Sequence, residues 1–205
     1  SHITKPQLDA EKRQQFSEKL LKRLHYLERQ VDDMLIFAKQ GRLSMQSFNW
    51  DEVLDEIREA MSEVPVHFRL DDRAGKRRLC GHRDGLRGAM LNVLHNAVEA
   101  DAQNVVMRVD YGAKTLTIEI IDDGAGMSSQ QRQQIFEPFF TTKSNGTGLG
   151  LAVVKGVVEA HQGVIHCDST QGLGTRFLIR LPCPDDAFAI HLSSVDRAAA
   201  SEVYP

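Results

Sequence analysis

Two asparagines four residues apart stand in the stretch Asn92-Val93-Leu94-His95-Asn96-Ala97. On a helix that spacing puts both amides on one face, where their oxygens can address one metal ion or phosphate group. Taken alone, the pair is as well explained by solvation. A second segment, Asp122-Asp123-Gly124-Ala125-Gly126, follows directly on the apolar run Thr115 to Ile121. It sets a carboxylate at a strand end, able to accept from an exocyclic amine, with Gly124 and Gly126 letting backbone approach a flat ligand. A plain β-turn accounts for the same residues. The third segment, Phe136-Glu137-Pro138-Phe139-Phe140-Thr141-Thr142-Lys143, packs three of the nine phenylalanines into five residues and ends in a lone cation. The aromatics suit a core plug, while Lys143 suits phosphate as a flexible point charge. The fourth, Gly146-Thr147-Gly148-Leu149-Gly150-Leu151, runs into Ala152-Val153-Val154-Lys155. Glycines ahead of a helix free its first amides and positive dipole end for phosphate. The spacing is not GxxxxGK[ST], and with no strand before it and no βαβ unit after it the segment is no dinucleotide fingerprint.

These segments need elements to hold them, and the periodicities supply a set. Leu20, Leu24, Leu27, Val31, Met34 and Ala38 alternate steps of four and three, a coiled-coil seam flanked by charges. Pro6 and Asp9 suit its start and Gly41 its end. An amphipathic helix is predicted from Asn49-Trp50-Asp51-Glu52 to about Met61, and an alternating stretch from Val66 to Leu70. Helical period returns over Asp84 to Ala100, with Leu86, Met90, Leu91, Leu94 and Val98 facing inward. Val105 to Val109 and Thr115 to Ile121 read as strands joined by a hairpin around Tyr111-Gly112-Ala113-Lys114. A helix over Leu149 to His161 and closing strands at Val164 to Cys167 and Thr175 to Leu181 complete the set. Strands in hairpins with helices interspersed predict an α+β fold, a mixed sheet with helices on one face.

The bulk numbers bound the partners. At 205 residues, 41% hydrophobic and 26% charged with net charge -3, the chain has an ordinary globular composition and gives no reason to expect nucleic acid. Cys80, Cys167 and Cys183 form no CxxC pair, which fits a reducing cytoplasm better than a zinc site or a disulfide framework. No window approaches the roughly 20 apolar residues of a membrane span.

Taken in this order and with these gaps, the four segments resemble the N, G1, F and G2 boxes of the ATP-binding domain of two-component sensor histidine kinases. Gly172-Leu173-Gly174-Thr175-Arg176-Phe177 resembles that family's last glycine box. The resemblance covers Trp50 to Pro182, and the helix ending in Val31-Asp32-Asp33-Met34-Leu35-Ile36-Phe37-Ala38 is similar to the second helix of the kinase dimerisation domain. Only Ser144-Asn145 separates Lys143 from Gly146, as in the short-lid, nitrogen-regulation-sensor branch. The stretch from Leu27 to Lys39 most resembles flagellar-regulation sensors of the FleS/FlrB type.

The resemblance implies a mixed-sheet α/β sandwich of the Bergerat (GHKL) ATP-binding kind behind a long coiled-coil helix. It divides the chain into 1–42, a hairpin remnant and dimerisation helix, 46–184, the catalytic domain, and 185–205, a tail. It implies ATP and Mg²⁺ as cofactors, with Asp122 reading adenine, Gly124 and Gly126 beside the base and sugar, and Asn96 on the metal. Asn92 and Lys143 would serve the transferred phosphate, together with the amides near Gly148 and Gly150. Phe136, Phe140, Thr142, Gly146, Thr147, Leu149, Leu151 and Thr175 would complete the nucleotide site. The family's acceptor histidine sits in an H-box, which is not found here. His2-Ile3-Thr4-Lys5-Pro6 has its proline one residue too soon and no acidic neighbour, so it reads as a hairpin remnant and the chain as a piece of a longer kinase. Implied partners are a response-regulator receiver domain, of an NtrC-type flagellar regulator on the subfamily resemblance, and a second copy through the dimerisation helices. The alternatives are an ATP-binding scaffold module, or another GHKL ATPase, which would carry a glutamate base where this chain has Asn92.

Overall fold

The computed structural model describes residues 12–17, 20, 31, 34, 44–143 and 146–183. Most of the expected coiled-coil helix, its boundary residues Pro6, Asp9 and Gly41, and the tail beyond 184 lie outside them. Of the seam, Leu20, Val31 and Met34 are described; they are helical and about half exposed.

The chain opens with β1 (Gln46–Asn49), α1 (Trp50–Ser62), β2 (His67–Asp72), β3 (Arg78–Gly81) and α2 (Arg83–Glu99). It continues through β4 (Asn104–Gly112), β5 (Thr115–Asp122), α3 (Ser129–Gln134), α4 (Gly150–Ala160), β6 (Val164–Thr170) and β7 (Gly174–Pro182). Five strands make one sheet in the order β2-β4-β5-β7-β6, with β2 parallel to β4 and every other pair antiparallel. β1 and β3 form a separate antiparallel ribbon. Alternation decides which face is buried. Val105, Met107 and Val109 of β4, Leu116, Ile118 and Ile120 of β5, and Phe177, Ile179 and Leu181 of β7 all lie within the core. Helices α1, α2 and α4 supply the other side, with Trp50, Val53, Leu54, Ile57 and Met61 from α1 and Val153, Val154, Val157 and Val158 from α4. The opposite sheet face stays wet and is laced by Arg108–Glu119 and Arg176–Glu119 ion pairs at 2.8 and 2.6 Å.

The expected α+β class, with a mixed sheet covered by helices on one face, is the observed one. Three elements were not anticipated: β1 and β3, each four residues, and the six-residue α3, which Ser128 and Gln131 start with a reciprocal capping box. On α2 the buried stripe runs through Leu86, Ala89, Met90, Val93, Leu94 and Ala97. Leu91 and Val98, expected inside, are half-buried at its edge, because alanines at 89 and 97 bring the helix close on the neighbouring face. The hairpin turns on Ala113 and Lys114, both with positive φ (51° and 60°), matching a two-residue type I′ connection.

Candidate nucleotide site

A strand terminus and a helix supply the polar side chains of the candidate site. Asp122 is the last residue of β5, next in the row Leu116, Ile118, Ile120, so its carboxylate points into the helix layer rather than to solvent and is only 7% exposed. Its Oδ1 accepts from the Gly124 amide at 2.9 Å and the Thr175 amide at 3.2 Å. Both bonds fall on one oxygen, and Oδ2 accepts none among the described residues. Burial pushes the Asp122 carboxyl above its ordinary value, while the two amides pull the other way.

Two glycines secure this end, and the structure changes the reason for them. A Cβ on Gly124 would meet the Ala100 carbonyl oxygen at 2.7 Å, and one on Gly126, which has φ of 62°, would lie 2.1 Å from the Thr170 oxygen. The chain's own backbone therefore requires them, before any ligand is considered.

Helix α2 runs past the cavity. Asn92 is 6% exposed and its Nδ2 donates to the Gly150 carbonyl at 3.5 Å, which links α2 to the start of α4. One turn on, Asn96 Oδ1 accepts from Lys143 Nζ at 3.1 Å, and the same ammonium lies 2.5 Å from Glu99 Oε2. Helix α4 begins at Gly150 with no side-chain cap, and its first internal bond runs from the Val153 amide to the Leu149 oxygen at 2.8 Å. The amides of Gly150, Leu151 and Ala152 are thus left without intrahelical acceptors at the positive end of the helix. At the loop before it, the Phe139 amide donates to the Gly148 oxygen at 3.0 Å.

A cavity of about 470 Å³ joins these parts. Asn92, Asn96, Asp122, Gly126, Phe140, Thr142, Lys143, Gly146, Thr147, Gly148, Gly150, Leu151 and Thr175 all line it. Three residues expected at the ligand do not. Phe136 stands behind, edge-on to the lining Phe177 with ring centres 6.4 Å apart. Leu149 is 3% exposed and packed inward, and Gly124 acts through Asp122. The lining also holds residues that the sequence did not single out as site residues, among them Glu99, Gln131, Ile135 and Phe177. The signal for Glu99 was present, since it follows Asn96 by three and shares its helix face.

The chain is 38% identical over 188 residues to the sensor protein kinase FleS of Pseudomonas aeruginosa, covering 88% of this chain and 46% of FleS. It thus spans about half the length of that relative. The crystal structure of full-length ShkA in complex with AMPPNP superposes with a TM-score of 0.67 at 26% identity, over 86% of this chain and 40% of ShkA. The histidine kinase ThkA in complex with the response regulator protein TrrA shares the fold at 21% identity, with a TM-score of 0.64 over 88% of this chain and 54% of ThkA. Residues 81–185 match the family described as Histidine kinase-, DNA gyrase B-, and HSP90-like ATPase, and with about half its length so matched the chain belongs to that family.

Proposed function

We propose that residues 46–184 are the ATP-binding catalytic domain of a sensor histidine kinase, which passes the γ-phosphate of ATP to a histidine presented on a separate H-box helix. One observation carries the reading: a buried carboxylate, Asp122, lines the same cavity as Asn96, Lys143 and Gly150 at the uncapped start of α4. One cavity thus offers an acceptor for an amine together with donors for phosphate. Asp122 Oδ2 would accept from the adenine amine. Gly126 and Thr175 would flank the base, with Phe140 and Leu151 on its apolar side. Thr142, Gly146, Thr147, Gly148 and the Gly150 amide would surround the phosphates.

The donor set also fits Mg²⁺, a hard cation that takes oxygen ligands. Asn96 Oδ1 already faces a cation, the Lys143 ammonium. Bound there, the metal would neutralise phosphate charge, and Asn96 would hold it. Phosphoryl transfer asks the protein for positioning and charge neutralisation rather than covalent work, and Lys143 and Asn92 are the side chains placed for that. Asn92 is an amide and so offers no general base for water, which favours transfer to a protein acceptor over hydrolysis.

Residues 1–42 fit a dimerisation helix with a hairpin remnant, and 185–205 a tail. The half-exposed Leu20, Val31 and Met34 support pairing with a second copy. The setting proposed with this reading is cytoplasmic, and the proposed relay runs to a receiver-domain aspartate, of an NtrC-type regulator on the subfamily resemblance of the sequence. Among the described residues no helix is long and apolar enough to cross a membrane. The test is to incubate the chain with Mg²⁺ and γ-labelled ATP, alone and with a separate H-box dimerisation domain. Acid-labile label on the added domain only is expected. Label on the chain alone that vanishes in His2→Ala would refute transfer in trans.

A further inference from the structure

Gln131 lines the cavity of the candidate site from α3, the short helix that no sequence motif announced. Its side-chain amide is half spent. Oε1 accepts from the Ser128 amide at 2.8 Å, while Ser128 Oγ accepts from the Gln131 amide at 3.2 Å. Within a carboxamide only the oxygen accepts from an N–H, so this bond also fixes the remaining polar atom as the Nε2 donor. Among the described residues Nε2 has no acceptor.

A chain of hydrogen bonds ties this residue to the surroundings of Asp122. The Met127 amide, one residue before Ser128, donates to Ser169 Oγ at 2.9 Å, and that hydroxyl lies 3.0 Å from Thr175 Oγ1. The Thr175 amide in turn donates to Asp122 Oδ1 at 3.2 Å. Ser169 Oγ gives its proton to the Gly174 oxygen at 2.9 Å, so the Thr175 hydroxyl donates to Ser169. Both hydroxyl protons of the chain are thereby used, and Nε2 is the side-chain donor it leaves over. We propose that Gln131 is a specificity-determining residue whose Nε2 donates to a ring nitrogen of the base, beside the amine that Asp122 accepts from. The inference rests on the nucleotide reading above and deepens it, since it sets a donor next to the acceptor. Adenine's amine is flanked by two ring nitrogens, N1 and N7, and both accept. Gln131 is half-buried, so water serves Nε2 in the empty site and binding exchanges that bond for one to the base.

The test uses the whole chain and its Gln131→Met, Gln131→Glu and Ser128→Ala variants, titrated calorimetrically in excess Mg²⁺ with ATP, 1-deaza-ATP and 7-deaza-ATP. Each analogue replaces one ring nitrogen by C–H. Gln131→Met should weaken ATP by about three- to tenfold, the worth of one hydrogen bond. Gln131→Glu keeps both bonds to Ser128 but sets an acceptor against an acceptor, and should weaken ATP at least as much. With one of the two analogues the parent should already bind less tightly and the Gln131→Met penalty should vanish, which identifies the nitrogen; with the other the penalty should persist. Ser128→Ala breaks the cap, leaves the Nε2 donor in place and should bind ATP within about twofold of the parent. Circular dichroism melts confirm that each variant folds. Unchanged ATP affinity in both Gln131 variants, an equal penalty on all three nucleotides, or a loss in Ser128→Ala as large as in Gln131→Met would overturn the role of Gln131 while leaving the nucleotide site standing. Absence of ATP binding by the unmodified chain would overturn the nucleotide reading and this inference together.

Discussion

Replacing Asp122 by Asn separates what this residue does for the fold from what it does for a ligand. The amide is isosteric and keeps Oδ1, so the bonds from Gly124 and Thr175 at 2.9 and 3.2 Å survive. The buried charge goes. Because burial raises the carboxyl pKa, the folded state binds the proton more readily than the unfolded one, and ionising the group costs stability. That cost is absent below the ordinary carboxylate range, develops as pH rises through the raised value, and is complete above it. At pH 7 the empty Asp122→Asn protein should therefore melt no lower than the parent and, by the sign, higher, each kcal/mol being worth about 2 to 4 °C. Below the ordinary carboxylate pKa the two should converge. Toward adenine the change is opposite, since a donor now faces a donor. Loss of a hydrogen bond to a charged acceptor costs about 2 kcal/mol, or about thirtyfold in Kd. Differential scanning fluorimetry of the empty proteins and calorimetric titration with Mg²⁺-ATP read the two effects. Asp122→Ala would confound them by stranding two buried amides. Unchanged ATP affinity in Asp122→Asn, or GTP binding as tightly as ATP to the parent, would refute the orientation of the base.

Gly126→Ala should destabilise the fold by about 2 to 4 kcal/mol in urea titrations, since φ is 62° and the new Cβ would lie 2.1 Å from the Thr170 oxygen. His161 accepts the His82 amide on Nε2 at 2.9 Å, and burial holds it below its usual pKa, against an upward pull from the Val157 carbonyl and with a further downward push from His82. Its contribution is therefore present above the ordinary histidine range and lost as pH falls through it toward the depressed folded value; His161→Gln should flatten that slope in pH-dependent melts. Alkylation of the native protein should reach exposed Cys80 first, because burial pushes the Cys167 thiol up to about 12 and leaves almost no thiolate; labelling of Cys167 ahead of Cys80 would contradict this.

The parts legible in the sequence were those with long periods or strong local chemistry. Trp50 to Met61, the β4-β5 hairpin and α4 carry unbroken apolar patterns, and their ends came within three residues of the observed ones. The ribbon of β1 with β3 was not legible, because four residues with one or two buried positions leave no alternation to count. Site residues emerged where glycines or amides mark a backbone need, as at Asn92, Asp122 and Gly148. Phe177 and Ile135 reach the cavity only through tertiary packing, and Glu99 matters because a lysine 44 residues away folds back onto it. Gly124 and Gly126 were found for a ligand's sake, yet the backbone of Ala100 and Thr170 already forbids a side chain there.

The bond from the Phe139 amide to the Gly148 oxygen ties a neck. Both residues sit at φ of 68°, and a Cβ on Gly148 would come within 2.4 Å of the Phe139 carbonyl carbon. A loop pinned at its base is an interchangeable part: what lies between Thr142 and Gly146 can grow while the neck still delivers the chain to the α4 amides in the same place. Closure entropy rises only with the logarithm of length, about 0.6 kcal/mol for each doubling. Insertions between Thr142 and Gly146 should therefore cost the fold little stability, and the start of α4 should keep its place whatever length of chain precedes it.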